Sequence, residues 1–312
     1  MLDIAIIGAG MAGLTAGIYS ARAGLRTAVF EQFMPGGQTA SIMQLDNYPG
    51  FPDGINGADL MLAVMSQAEK AGCELRYCGV EKLQPGKAGS AHTLITGEGP
   101  EEAKAIIICG GAIPRKLGLD GESRLTGRGV SYCATCDAPV CRDKTVAVTG
   151  SSATAAKDAL ELAPLAKKVY LICPTDNLAV SPALKQRVAE TANIELLTSM
   201  KVTALEGENK LEAITISDQR ATSLTRRLEL DSIFVSLGKA PVSEFLGGLL
   251  ELDAKGHIVT DKHLRTSCPG IFAAGDVRDT VLRQVVTAAG DGAVAAVSAA
   301  DYVRGLNREK DD

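Results

Sequence analysis

Two cysteines separated by two residues, Cys133-Ala-Thr-Cys136, with Asp137 directly after them, are the side chains in this sequence best placed for chemistry. At this spacing a helical turn brings two thiols within disulfide range, and a helix N-terminus lowers the proton affinity of the first. Such a pair stores two electrons when open and releases them on closing. A carboxyl group beside it can carry a proton or simply cap a turn, and both readings stand at this point. A zinc site would need four convergent ligands, but there is no second Cys-x-x-Cys and the three histidines are scattered, so no metal is expected. Cys73, Cys78, Cys109, Cys141, Cys173 and Cys268 read as small buried hydrophobes, with Cys141 left open because it lies close to the pair.

A second chemical signal opens the chain. Residues 2–7 form a near-continuous apolar run, followed by Gly8-Ala-Gly10-Met-Ala-Gly13, a helical stretch to Ala23 and another apolar run ending at Glu31. In this strand–turn–helix context Gly8 permits the turn, Gly10 lets a pyrophosphate approach the backbone, and Gly13 lets helix and strand pack closely. Glu31 then stands where a carboxylate can accept ribose hydroxyls. Far along the chain, Gly275-Asp276 follows an apolar run and precedes a helical stretch. An aspartate there suits a ribityl hydroxyl or a pyrophosphate-linked water, as an FAD lying across the domain would require.

The elements that must position these groups repeat. Residues 145–149 (strand), 153–165 (helix) and 168–173 (strand) form a second unit of the first kind, a diverged internal duplication. Between the units lie a meander-like stretch and a buried strand at 105–109. Further strands are predicted at 230–238 and 270–276, and a helix over 281–306 that returns to the first domain. The fold class is therefore α/β, with two Rossmann-like three-layer nucleotide-binding domains, the second inserted in the first. Residues 1–113 and 243–312 make one nucleotide-binding domain, and 114–242 the second, inserted one, which contains the cysteine pair.

Composition sets outer limits. The chain has 312 residues, 46% of them hydrophobic, with 33 glycines and 12 prolines, which describes a turn-rich globular protein and excludes disordered and fibrous classes. A net charge of −5 offers no broad basic field for nucleic acid or an anionic membrane. No apolar run reaches the length of a membrane span, and the first residues lack a basic n-region, so a cytoplasmic protein with reduced cysteines is expected.

The quoted motifs carry a resemblance. Gly36-Gly37-Gln38, DNYPGF at 46–51, CATCD at 133–137 and GIFAAGDV at 270–277, continuing to Arg283-Gln284, resemble the low-molecular-weight thioredoxin reductases, in the same order over essentially the whole chain. The resemblance implies FAD held by Gly8, Gly10, Gly13, Glu31, Gly37, Gln38, Asn47, Asp276, Arg283 and Gln284. It also implies that Cys136 exchanges electrons with the flavin, that Cys133 attacks the disulfide of a thioredoxin-like protein, and that Asp137 is the acid–base group. A homodimer and an inter-domain hinge are implied as well.

One region departs from the family. The second loop reads Gly150-Ser151-Ser152-Ala153-Thr154-Ala155, with Ser152 where close approach of a pyrophosphate calls for glycine. The stretch after the next strand, residues 173–179, holds no Arg or Lys to clamp a 2′-phosphate, and Asp176 would repel one. Lys185 and Arg187 lie beyond it and could replace the clamp only through a rearranged loop. NADPH is therefore expected to be an inefficient reductant, and the chain resembles the pyridine-nucleotide-independent, ferredoxin-linked branch. Lys167-Lys168 and Arg226-Arg227 are candidate docking sites for an acidic ferredoxin. The alternatives are an ordinary NADPH enzyme with an unusual clamp and an FAD-dependent dithiol oxidase, a class that tends to place His where Asp137 stands. A non-enzymatic flavin module is opposed by the intact CATCD.

Overall fold

The computed structural model describes all residues except Met43, Ala88, Thr222, Ser223 and Asp312, and leaves undescribed the side chains of Thr135, Cys136 and 307–311. In chain order the elements are β1 (Leu2–Ile7), α1 (Met11–Arg22), β2 (Thr27–Phe30), α2 (Gly57–Lys70), β3 (Glu74–Arg76), β4 (Val80–Gln84), β5 (His92–Thr96), β6 (Gly99–Ile108) and β7 (Ala112–Pro114). Then come α3 (Glu122–Leu125), β8 (Val130–Ser131), α4 (Ala134–Asp137), β9 (Thr145–Thr149), α5 (Ala153–Leu162), β10 (Lys168–Cys173), α6 (Pro182–Glu190), β11 (Ile194–Thr198), β12 (Met200–Glu206), β13 (Ala213–Asp218), β14 (Thr225–Glu229) and β15 (Ser232–Val235). The chain closes with β16 (Lys239–Pro241), β17 (Ile271–Ala273) and α7 (Val285–Asp311). Two compact units result: Met1–Ile113 with Ala240–Asp312, and Pro114–Lys239. The sequence reading places the second crossing a few residues later, at 243.

In the first unit the sheet order is β3-β2-β1-β6-β5-β4, with β17 also on β6. Strands β3, β2, β1, β6 and β17 run parallel, and β4, β5 and β6 form the expected meander. The ten-residue β6 makes this possible, because 99–103 pair with β5 and 106–108 with β17 along the same edge. Both faces are covered, so the central strands are apolar throughout rather than alternating. Ile4, Ile6, Ala105 and Ile107 face a core shared with α1, α2 and α7, whereas Ala5, Ile7, Ile106 and Ile108 pack with Leu83, Leu94, Leu246 and Leu250. Each fully buried isoleucine contributes about 1.5–3 kcal/mol.

The second unit repeats the plan. Its parallel sheet has the order β11-β10-β9-β15-β8, with α5 and α6 on one face and the antiparallel meander β12-β13-β14 on the other. Residues 153–165 were expected as one helix, but α5 ends at Leu162 because Pro164 cannot continue it. The helix expected over 281–306 starts at Val285. There the Thr287 hydroxyl accepts from Gln284 N at 3.1 Å and closes the first turn.

α7 does return to the first unit, and it lies against α1 so closely that a Cβ on Gly292 would overlap Ala12 O. The same holds within α1, where a Cβ on Gly13 would overlap Gly8 O. Gly13→Ala should cost about 3 kcal/mol or more, since the obstructing atom is backbone. The check is the urea midpoint, and a midpoint within error of the parent would refute this packing.

Candidate active site

The C-terminal ends of β1, β2, β6 and β17 lie side by side, with Ile7 in register with Phe30 and Ile108, and Ile108 with Ala273. Loops leaving these ends build a crevice at the place where open α/β sheets hold ligands. Gly8, at φ +100°, donates from N to Phe30 O at 2.8 Å. Gly10 caps α1 with no side-chain partner, and a Cβ there would meet nothing within 4 Å, so open space stands over the first N–H groups of the helix. Glu31 accepts from Ala9 N (2.9 Å) and Phe33 N (3.0 Å), which fixes the loop and leaves each carboxylate oxygen a second lone pair for a sugar hydroxyl.

Four other segments join this loop. Gly36 N donates to Ala9 O at 2.8 Å, which sets Gly37 against Gly10. Gln38 Nε2 donates to Ala112 O. Asn47 Nδ2 donates to Gln284 Oε1 at 3.1 Å, although these residues are 237 positions apart. Arg283 donates to Asp276 O (3.5 Å) and Arg278 O (3.2 Å), and Asp276 lies in a 3-10 turn, Gly275–Val277, directly after β17. Sequence reasoning missed what anchors that turn: Asp291 of α7 accepts from Gly275 N and Arg278 Nη1, both at 3.1 Å. Gly-Asp in a helical stretch gives no hint of such a distant partner.

The redox loop lies in the second unit. Cys133 is half-buried and disulfide-bonded, whereas Cys73, Cys78, Cys109, Cys141, Cys173 and Cys268 are free. Cys136 lies in α4, and its side chain is outside the described residues. The helix start expected to activate Cys133 proves to be a single turn, with few aligned peptide dipoles to offer. A different group organises the loop. Ser131 Oγ donates to Asp137 Oδ2 at 2.6 Å and accepts from Cys133 N at 3.1 Å. Among the described residues the Asp137 side chain makes no cap bond to the 3-10 turn that follows it, Ala138–Cys141. Cys141 is fully buried and its thiol is pushed up to about 11 by burial, which makes it a core residue.

The second loop follows the first in backbone and departs in side chain. Ser152 caps α5 at φ −88°, ψ 171°, close to the −76°, −173° of Gly10. Its hydroxyl accepts from Ala155 N at 3.5 Å, so it stands where the first loop leaves open space. Ala179 N donates to Ser151 O at 2.8 Å, laying the following loop alongside, and Asp176 accepts from Ser199 Oγ. Lys185 corrects an expectation: its Nζ donates to Asn177 Oδ1 at 3.1 Å, so a cation reaches this loop without rearrangement.

With this geometry in view, the relatives are informative. The model for pyridine nucleotide-disulphide oxidoreductases matches residues 2–292. The chain belongs to that family. A thioredoxin reductase from Treponema pallidum is 41% identical over 301 residues, covering 96% of this chain and 97% of its own. Among solved structures, a thioredoxin reductase from Streptococcus pyogenes is 37% identical, with a TM-score of 0.80, 98% of this chain covered and 99% of that one. A ferredoxin-flavin thioredoxin reductase from Clostridium acetobutylicum is 29% identical, with a TM-score of 0.52 and 98% coverage of each chain.

Thioredoxin reductases of this oxidoreductase family are FAD-dependent enzymes, and the first unit fits that cofactor: open space over Gly10, unpartnered helix N–H groups and the Glu31 carboxylate match a dinucleotide. The proposed basic docking points change character. Lys168 and Arg226 both pair with Glu195 (2.5 and 3.1 Å), and Arg227 pairs with Glu206 and Glu229 (2.8 Å each). No described helix is long and apolar enough to cross a membrane.

Glu122 also escaped the sequence reading. Buried in α3, it accepts from Tyr132 Oη (2.6 Å), Leu117 N (2.7 Å) and Gly118 N (2.8 Å), tying the residue before Cys133 to the start of the second unit. Burial alone would raise its pKa, but these donors outweigh that and hold the carboxyl below its usual 4.5. A carboxyl with a depressed folded-state pKa stabilises above its unfolded value and loses that effect as pH falls through the folded value. Glu122→Gln should therefore cost about 1–3 kcal/mol at pH 7, with the gap to the parent narrowing in acid. Urea midpoints at neutral and acid pH check this, and a gap independent of pH would contradict it.

Proposed function

We propose that this chain is a thioredoxin-disulfide reductase whose Cys133–Cys136 pair delivers electrons to a thioredoxin-like protein, with reduced ferredoxin or a similar one-electron carrier as donor in place of NADPH. The donor reading rests on Ser152, whose hydroxyl takes the space and one of the N–H groups that a pyrophosphate would use. Asp176, in the loop that follows β10, adds negative charge where a 2′-phosphate would sit. In the first unit Gly8, Gly10, Gly13, Glu31, Gly37, Gln38, Asn47, Asp276, Arg283 and Gln284 hold the FAD, and the chain works as a homodimer. Bound FAD supplies a centre that accepts electrons singly and passes them on in pairs.

The protein's own groups handle sulfur and proton. Cys133, which is half-exposed, attacks the partner's disulfide, and Cys136 then closes on Cys133 to release the product. Asp137 gives a proton to the thiolate that leaves. Cys133→Ser should abolish thioredoxin turnover, a fall on the order of 10³-fold or more, while FAD stays bound. Turnover that survives this change would refute the assignment.

A second reading, an ordinary NADPH enzyme with an unorthodox clamp, is favoured by the Lys185–Asn177 contact. Anaerobic mixing of the yellow protein with each donor separates the two. Rapid bleaching of the flavin by reduced ferredoxin, with slow or no bleaching by NADPH, is the expected result. Rapid bleaching by NADPH that weakens in Lys185→Ala would establish the second reading.

A further inference from the structure

We infer that Ser131 is the positioning residue for proton transfer at Asp137, an inference that rests on the proposed acid–base role of that carboxylate. Ser131 ends β8, whose two residues pair with Ile233 and Phe234 of β15, so its backbone is held by the sheet and not by the redox loop. The residue is 9% exposed, which keeps water from competing strongly for its hydroxyl. A carboxylate accepts only and a backbone N–H donates only, which sets the direction of the chain: Cys133 N–H to Ser131 Oγ (3.1 Å), Ser131 O–H to Asp137 Oδ2 (2.6 Å). Among the described residues the hydroxyl has one alternative acceptor, Cys133 O at 3.3 Å. Its single proton therefore has two resting places, and the charge state of Asp137 selects between them. While Asp137 is ionised, the shorter charge-assisted bond prevails; once Asp137 is protonated, the O–H can turn to Cys133 O.

This arrangement matches what the proposed reaction needs. As Cys133 thiolate attacks, a Cys133–partner disulfide forms, the partner's own S–S bond breaks, and the leaving sulfur takes the proton of Asp137. The carboxylate left behind is caught by the Ser131 hydroxyl as it forms. Cys136, having released its proton to solvent, then attacks Cys133 sulfur. That step closes Cys133–Cys136 and frees the partner's second sulfur, which takes a proton from water. The enzyme dithiol has become a disulfide and the partner disulfide a dithiol, and Asp137 regains its proton from solvent. Ser131 takes no part in the exchange of sulfur bonds. It acts by stabilising the charge that appears on Asp137 and by holding that carboxylate beside the Cys133 backbone.

The test uses the full-length FAD-loaded protein, reduced anaerobically with dithionite and mixed with oxidised thioredoxin, so its outcome does not depend on the natural donor. Ser131→Ala should slow single-turnover thioredoxin reduction by roughly 10- to 100-fold, the size expected for a lost hydrogen bond to a charged group, with half-saturation by thioredoxin unchanged. Ser131→Thr should restore the rate, and Ser131→Val, of the same shape without the hydroxyl, should not. That pair also serves if the alanine variant folds poorly. FAD content and flavin absorption should match the parent in all variants. The deciding readout is the double variant: in an Asp137→Asn background, Ser131→Ala should cost less than about twofold, because both changes remove one interaction. An equal loss in both backgrounds would overturn the inference and leave Ser131 a structural residue. If Asp137→Asn alone has no effect, the acid–base reading falls and this inference with it, whereas Cys133→Ser reports separately on the reductase assignment.

Discussion

An α-helix begins with N–H groups that its own carbonyls cannot reach, and they must find a partner in a side chain, in water or in a ligand. Much of this protein's chemistry depends on which partner is chosen. In α1 the cap is Gly10, the space above it is open, and the helix start is available to an anion. In α5 the cap is Ser152, in nearly the same backbone conformation, and the hydroxyl answers the N–H from within. Two copies of one supersecondary unit thus diverge through a side chain of two heavy atoms.

Around the open helix start the first unit is held by contacts between remote segments. Parallel pairing lines up the ends of β1, β2, β6 and β17, so loops from distant parts of the chain emerge at one edge. The Asn47–Gln284 and Asp291–Gly275 contacts then tie the middle and end of the chain to the same crevice. Because α7 lies on α1 at backbone distance through Gly292, the C-terminal segment is part of the first unit's core.

The redox loop depends on support from outside itself. A single helical turn gives little electrostatic help, and the polar groups near Cys133 are ordered by Ser131 from a strand end and by Glu122 through Tyr132. Both supports come from residues within the first part of the second unit, so the loop is fixed relative to that unit's own sheet. Sequence alone did not mark either residue, since a serine or glutamate a few positions from a cysteine pair is unremarkable until its partner is known.

By itself the sequence determined the elements and the family. Apolar runs of strand length, the glycine spacing at 8–13 and the CATCD motif are local signals, and local signals survive in one dimension because they reflect short-range sterics and pairing. It also marked Ser152 as an anomaly. Only the tertiary structure decided what the polar groups do with one another. It showed Ser152 satisfying its own helix, Lys185 arriving at Asn177 across a loop, Lys168, Arg226 and Arg227 neutralised by Glu195, Glu206 and Glu229, and Asp137 bonded to Ser131. The physical reason is that a hydrogen bond or ion pair is set by distances of about 3 Å between atoms whose chain separation carries no information. Residue type limits which bonds can form, and packing alone selects those that do.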